Sequence, residues 1–131
     1  MREAVIELRK YIGRDYSTYN CFDLVREFYK DHYALDLLHY WEGPGAPDRR
    51  TVESLIVTNK GDFIKVDVPK FGDIVVLNIY GIECHIGVVV DRSKFLHSVR
   101  RAGSLIDRLE RYSKCIAGFY RHREQYDKTQ T

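Results

Sequence analysis

Long apolar runs are missing from this chain: charges interrupt every hydrophobic stretch well short of the roughly 20 residues needed to cross a bilayer, so no membrane span is expected. Cysteine is scarce and odd in number. The three present, Cys21, Cys84 and Cys115, form no C-x-x-C pair, which argues against a disulfide framework and for free thiols in a reducing compartment. No H-x-x-x-H pair occurs either, and Cys84 and His85 are neighbours in a stretch that reads as a strand, so their side chains leave on opposite faces. No metal and no cofactor are expected. Net charge is only +2, and no recognition helix, aromatic RNA-binding motif or zinc-finger spacing accompanies it, so nucleic acid is not the expected partner. Repeats, linkers and low-complexity segments are absent as well.

What is there suits one domain with a sizeable core: 131 residues, 44% hydrophobic and 13% aromatic. We read residues 1–123 as that domain and 124–131 as a polar tail, frayed at the end. The start, Met1 to Tyr11, spaces apolar residues among charges at helical period. It is an amphipathic first helix and not a secretory signal, so synthesis inside a cell without a signal peptide is expected.

From Cys21 the apolar or small positions run Cys21, Leu24, Val25, Phe28 and Tyr29, with Asp23, Arg26, Glu27 and Lys30 between them, the stripe of a helix packed on one face. Asn20 is a good N-cap, so Cys21 falls in the first helical turn. Free backbone N–H groups and the positive dipole end there favour a thiolate and are expected to lower the thiol pKa from about 8.5. The same position also suits a small buried residue that only packs.

Two histidines weigh against mere packing. Gly72 to Leu77 reads as a strand, Cys84 to Val90 as the next, Asp91 to Lys94 as a turn, and Phe95 to Ser98 as a returning strand. With an odd connection, such as three residues, Gly87 lies opposite His97, and His85 is the diagonal neighbour on the same face. Gly87 carries no side chain to keep the rings apart. One imidazole could take the Cys21 proton while the second holds the first ring's other nitrogen, an arrangement for covalent chemistry on an amide.

Between helix and hairpin, residues 33–50 carry Leu37, Leu38, Tyr40 and Trp41 into a Gly-Pro-rich loop, either completing the core or forming a cleft wall or docking surface. A helix over residues 50–59 follows, and Cys115 to Tyr120 reads as the last strand. Arg92, Lys94, Arg100, Arg101, Arg108, Arg111, Lys114, Arg121 and Arg123 crowd the C-terminal third, as a solvated basic face or as an attraction for an anionic polymer or acidic partner. The fold expected from these elements is α+β: helices first, then an antiparallel sheet of about five or six strands, with the Cys21 helix meeting the hairpin.

The segments Ile12-Gly13-Arg14-Asp15-Tyr16, Asn20-Cys21-Phe22-Asp23-Leu24-Val25, Phe71-Gly72-Asp73-Ile74-Val75, His85-Ile86-Gly87-Val88 and Phe95-Leu96-His97-Ser98 resemble, in order, the motifs of the papain-like NlpC-type cell-wall cysteine peptidases. The resemblance spans about residues 2–123 and is greatest to the short single-domain form associated with bacteriophage tail assembly. It implies Cys21 as nucleophile, His85 as general base and His97 as the residue that orients it, with Tyr16 and Asn20 on the substrate or oxyanion side. It also implies an amide of the peptidoglycan stem peptide as substrate, at a γ-D-glutamyl bond, and phage tail-tip or hub proteins as partners of a virion component. Two positions depart from the pattern: Asn20 replaces an Asp, and Asp15 a Pro. A structural tail protein with a vestigial or partner-dependent site, and an acyltransferase of the same broad fold, are the alternatives.

Overall fold

Asn20 and Asp23 start the principal helix by exchanging bonds: Asn20 Oδ1 accepts the Asp23 N–H at 3.0 Å, and Asp23 Oδ2 accepts the Asn20 N–H at 3.1 Å. Helix α1 then runs Cys21–Tyr33 and stops where Ala34 turns left-handed at φ 54°. Its apolar stripe is buried as the period requires. Leu24, Val25 and Phe28 are fully enclosed, each such burial stabilising by about 1.5–3 kcal/mol. The computed structural model describes residues 8–37 and 48–130. The first seven residues of the expected N-terminal helix, and Leu38, Tyr40 and Trp41, lie outside that range. The described remainder of the expected helix is a 3-10 turn, Arg9–Tyr11, whose Tyr11 is buried and donates its hydroxyl to Asp31 at 2.7 Å.

Helix α2, Arg49–Asn59, starts on Asp48, whose Oδ1 accepts the Thr51 N–H at 2.8 Å, and it buries Val52 and Ile56 against the sheet. The strands follow: β1 Phe63–Val66, β2 Ile74–Ile79, β3 Ile82–Val89, β4 Lys94–Val99, β5 Gly103–Arg108 and β6 Ile116–His122. They form one antiparallel sheet in the order β1-β6-β2-β3-β4-β5. The α+β reading and the upper strand count are therefore correct. The polar tail forms a helix, α3, Arg123–Gln130.

The sheet has two apolar faces. Ile74, Val76, Cys84, Ile86, Val88 and Leu96 face α1 and α2, while Val75, Leu77, Val89, Phe95 and Leu109 pack on the other side, as the strand alternation demands. Asp73 and Arg121 pin β2 to β6 through a buried bidentate pair, Nε to Oδ1 at 2.8 Å and Nη2 to Oδ2 at 2.7 Å. The Gly72 of the Phe71-Gly72-Asp73 segment is required by shape. It sits at φ +90°, a Cβ there would overlap the Tyr33 hydroxyl, and its carbonyl accepts the Tyr29 hydroxyl at 2.5 Å.

Candidate active site

The β3–β4 ladder is short: Val88 pairs with Leu96 and Val89 with Phe95, and the Val90 N–H reaches the Lys94 carbonyl at 3.0 Å. The connection between paired positions is thus Asp91-Arg92-Ser93, three residues, with Asp91 Oδ1 accepting the N–H groups of Ser93 and Lys94 at 2.8 Å each. Beyond Val88 the ladder gives way to the start of α1. The Ser98 hydroxyl donates to the Tyr19 carbonyl at 2.6 Å, holding the residues just before the helix against β4, and the N–H groups of Ile86 and Phe22 reach the Cys21 thiol. Cys21 therefore meets β3 at the residue next to His85, as the helix-meets-hairpin expectation requires.

The electrostatic expectation for Cys21 is overturned. At 2% exposure the thiol is pushed up to about 11, because the loss of hydration disfavours a thiolate more than the backbone N–H groups of Ile86 and Phe22 favour it. Helix-end placement is present but loses to burial. The resting thiol carries its proton.

The histidine pair forms as the register predicts. Past the last paired positions the two strands still run close: Gly87 lies across from His97, where a Cβ on Gly87 would stand 3.0 Å from that of His97 and 2.8 Å from the Leu96 carbonyl. The rings meet edge to face, with His85 Nε2 and His97 Nδ1 2.8 Å apart. His85 is partly buried, and desolvation, with help from His97, lowers it to about 3; His97, wholly buried, is also lowered by desolvation, against the pull of Asp107. Both rings are neutral at neutral pH.

A cleft of about 250 Å³ opens beside the pair, lined by Tyr16, Arg49, Cys84, His85, Ser98 and Arg100 among others. Tyr16 is half-buried in it. Its phenol is raised first by desolvation and then by the neighbouring Cys21, while Arg100, whose guanidinium lies 5.2 Å from the ring centre, pulls the other way. Tyr16 thus stands beside the thiol and the cleft together. Asn20 is placed differently. Its side-chain oxygen is engaged in the cap and its exposure is 6%, so its observed work is to start α1. Asp15, standing for the Pro of the resembled pattern, makes the turn by another route, its Oδ1 accepting the N–H and hydroxyl of Ser17 at 2.9 Å each. Tyr40 and Trp41, the suggested interface, lie outside the described residues. Among the described residues no group of three or more His, Cys, Asp or Glu converges as metal ligands would.

Behind His97 stand two residues that no sequence motif marks, Asp107 and Tyr112. His97 Nε2 lies 3.3 Å from Asp107 Oδ2, which also accepts the Tyr112 hydroxyl at 3.0 Å, while Asp107 Oδ1 accepts the Arg108 N–H at 2.9 Å. On the β4–β5 ladder Asp107 pairs with Phe95 and Leu105 with His97, so Asp107 is the diagonal neighbour of His97 on one face. That relation could have been found by recognising β5, whose carboxylate follows the His97 partner by two residues.

No family model matches the chain, and no curated protein does. Among solved structures, the crystal structure of the NlpC/p60 domain of the peptidoglycan hydrolase SagA is similar, with a TM-score of 0.57 and 18% identity, over 89% of this chain and 93% of that one. With the helix, the six strands and their order already in place, this likeness gives the chain the fold of an NlpC/p60 domain.

Proposed function

We propose that the chain is a cysteine peptidase that hydrolyses an amide of peptidoglycan stem peptides. The observation that carries this is the meeting of Cys21 with β3 beside His85, while His85 Nε2 is held by His97 Nδ1 at 2.8 Å, leaving the other nitrogen of His85 for the thiol. Because thiol and imidazole are both neutral at rest, the proton moves during attack. His85 takes it from Cys21, sulfur bonds to the amide carbonyl carbon, and the resulting oxyanion is met by backbone N–H near Cys21 and by the Tyr16 hydroxyl. Collapse breaks the C–N bond as the imidazolium returns its proton to the leaving amine. Water, deprotonated by His85, then releases the acyl group from the thioester and restores the thiol.

The charge of the cleft supports a carboxylate-bearing substrate. Arg49 and Arg100 line it, and among the described residues no carboxylate does, which suits the α-carboxylate beside a γ-D-glutamyl bond. The further placing of this activity in a bacteriophage tail rests on the resemblance of the short single-domain form. Purified protein and Cys21→Ala are incubated with muropeptides and the products weighed. Stem peptide cut at the γ-D-glutamyl bond by the wild type alone is expected; intact stem peptide from folded wild type, free or in purified particles, would overturn the peptidase reading.

A further inference from the structure

The two rings at the centre of the site have a proton pattern to choose, and what lies behind them chooses it. His97 is wholly buried, enclosed by the Phe95 ring at 4.2 Å and the Tyr112 ring at 5.5 Å, so neither ring nitrogen exchanges freely with water. Its Nε2 faces Asp107 Oδ2, and an ionised carboxylate only accepts. The carboxyl is held below its ordinary range because the Arg108 N–H, the Tyr112 hydroxyl and His97 itself, outweighing desolvation, all favour the anion; Arg111 stands 3.6 Å off.

We propose that Asp107 is a positioning residue that sets the tautomer of both histidines at once, so that His85 meets Cys21 with a bare Nδ1. Each nitrogen's state follows from its neighbour's, given the Cys21–His85 pairing proposed above. Asp107 accepts, so His97 Nε2 carries hydrogen. A neutral ring has one N–H, so His97 Nδ1 is bare. At 2.8 Å that bare nitrogen accepts, so His85 Nε2 carries hydrogen and His85 Nδ1 has none. Only in that pattern can His85 receive the thiol proton. The Arg108 N–H adds a second control, because it fixes which way an amide at position 107 would sit. In Asp107→Asn the side-chain oxygen stays on the Arg108 N–H, and the NH2 takes the Oδ2 position facing His97 and Tyr112. That amide donates, His97 Nε2 becomes bare, and both tautomers invert, placing N–H of His85 where a base is needed.

Nitrogen-15 NMR of the full chain with labelled histidine reads each ring's protonated nitrogen without any substrate. In the wild type near pH 7, His85 and His97 are both expected as the Nε2–H form; Nδ1–H on either ring overturns the proposal, with no variant required. In Asp107→Asn both are expected as Nδ1–H, and kcat on a stem peptide should fall about 10²- to 10⁴-fold, the range that a wrong tautomer costs a nucleophile's base. Tyr112→Phe keeps the carboxylate and should keep both Nε2–H forms. Unchanged tautomers in a folded Asp107→Asn would sink the proposal whatever the activity. Inverted tautomers beside a wild type that cuts no amide would leave it standing and sink the peptidase reading instead.

Discussion

A thiol in the first turn of a helix is pulled two ways, by a positive dipole end that favours charge and by enclosure that forbids it. For Cys21 enclosure wins, and near neutral pH its thiolate fraction is about a hundred- to a thousand-fold below that of an ordinary cysteine with a pKa near 8.5. Cys115, partly exposed, should therefore alkylate first at pH 7, with Cys21 labelling rising as pH approaches 11. Peptide mapping after a timed pulse of iodoacetamide checks this, and Cys21 labelling ahead of Cys115 would show a thiolate already formed at rest. The histidines give a stability signature of opposite location on the pH scale. His85 is lowered from 6.5 to about 3, so an unfolded chain binds a proton there that the folded chain refuses. That contribution is complete above pH 6.5 and is lost as pH falls towards 3. Thermal melting should begin to decline below pH 6.5, before the carboxylates titrate, and His85→Asn should flatten the decline; an unaltered profile would place the loss elsewhere. The periodicity of the sequence was enough to put Cys21 on the buried stripe, but not to weigh burial against the dipole. That balance depends on how tightly β3 closes over the sulfur.

Among the elements, the β3–β4 hairpin carries the most information per residue. Its register follows from a three-residue connection and the side-chain period of two, both legible in the chain, and from them came the pairing of His85 with His97. Gly87 is where that register is exposed to test. Its Cβ in Gly87→Ala would approach Phe95 Cδ2 at 2.7 Å and the Leu96 carbonyl at 2.8 Å, and a backbone carbonyl cannot rotate away. We expect a loss of about 1–3 kcal/mol in urea unfolding together with a larger fall in activity, since His97 is displaced by the same contact. Loss of stability with full activity would mean that the rings tolerate the shift. β1 and β5 were not legible as strands for a physical reason. β1 has four residues, and β5 opens on Gly103 at φ +73°, where the Arg14 carbonyl packs so closely that no Cβ fits. A strand whose first residue is dictated by Arg14, far earlier in the chain, leaves little local pattern, and Asp107 goes unseen with it.

Across the whole molecule the order of helices and strands determined the fold class, since the helices that cover the sheet precede its strands and every strand pairing is antiparallel. Charge was harder to place from the sequence. Of the arginines crowding the C-terminal third, Arg121 is buried on Asp73, Arg108 and Arg111 lean on Glu110 and Asp107, and Arg100 turns into the cleft. The basic third is therefore not one face; its chemical use concentrates where Arg100 and Arg49 border the site. A substrate carboxylate held by a guanidinium gains a charge-assisted hydrogen bond of about 1.5–3 kcal/mol, or roughly 10- to 100-fold in affinity. Steady-state kinetics on paired stem peptides, one with D-glutamate and one with D-isoglutamine, reads that contribution, because amidation keeps the size and shape while removing the charge and exchanging one acceptor oxygen for a donor NH2. The wild type should favour the free carboxylate, and Arg100→Gln should raise KM for that substrate with kcat little changed while barely affecting the amidated one. Salt should narrow the wild-type preference, since the cleft is open to solvent. Equal preference before and after the substitution would show that Arg100 serves only to cover the Tyr16 ring, and the carboxylate would then have to be sought at Arg49.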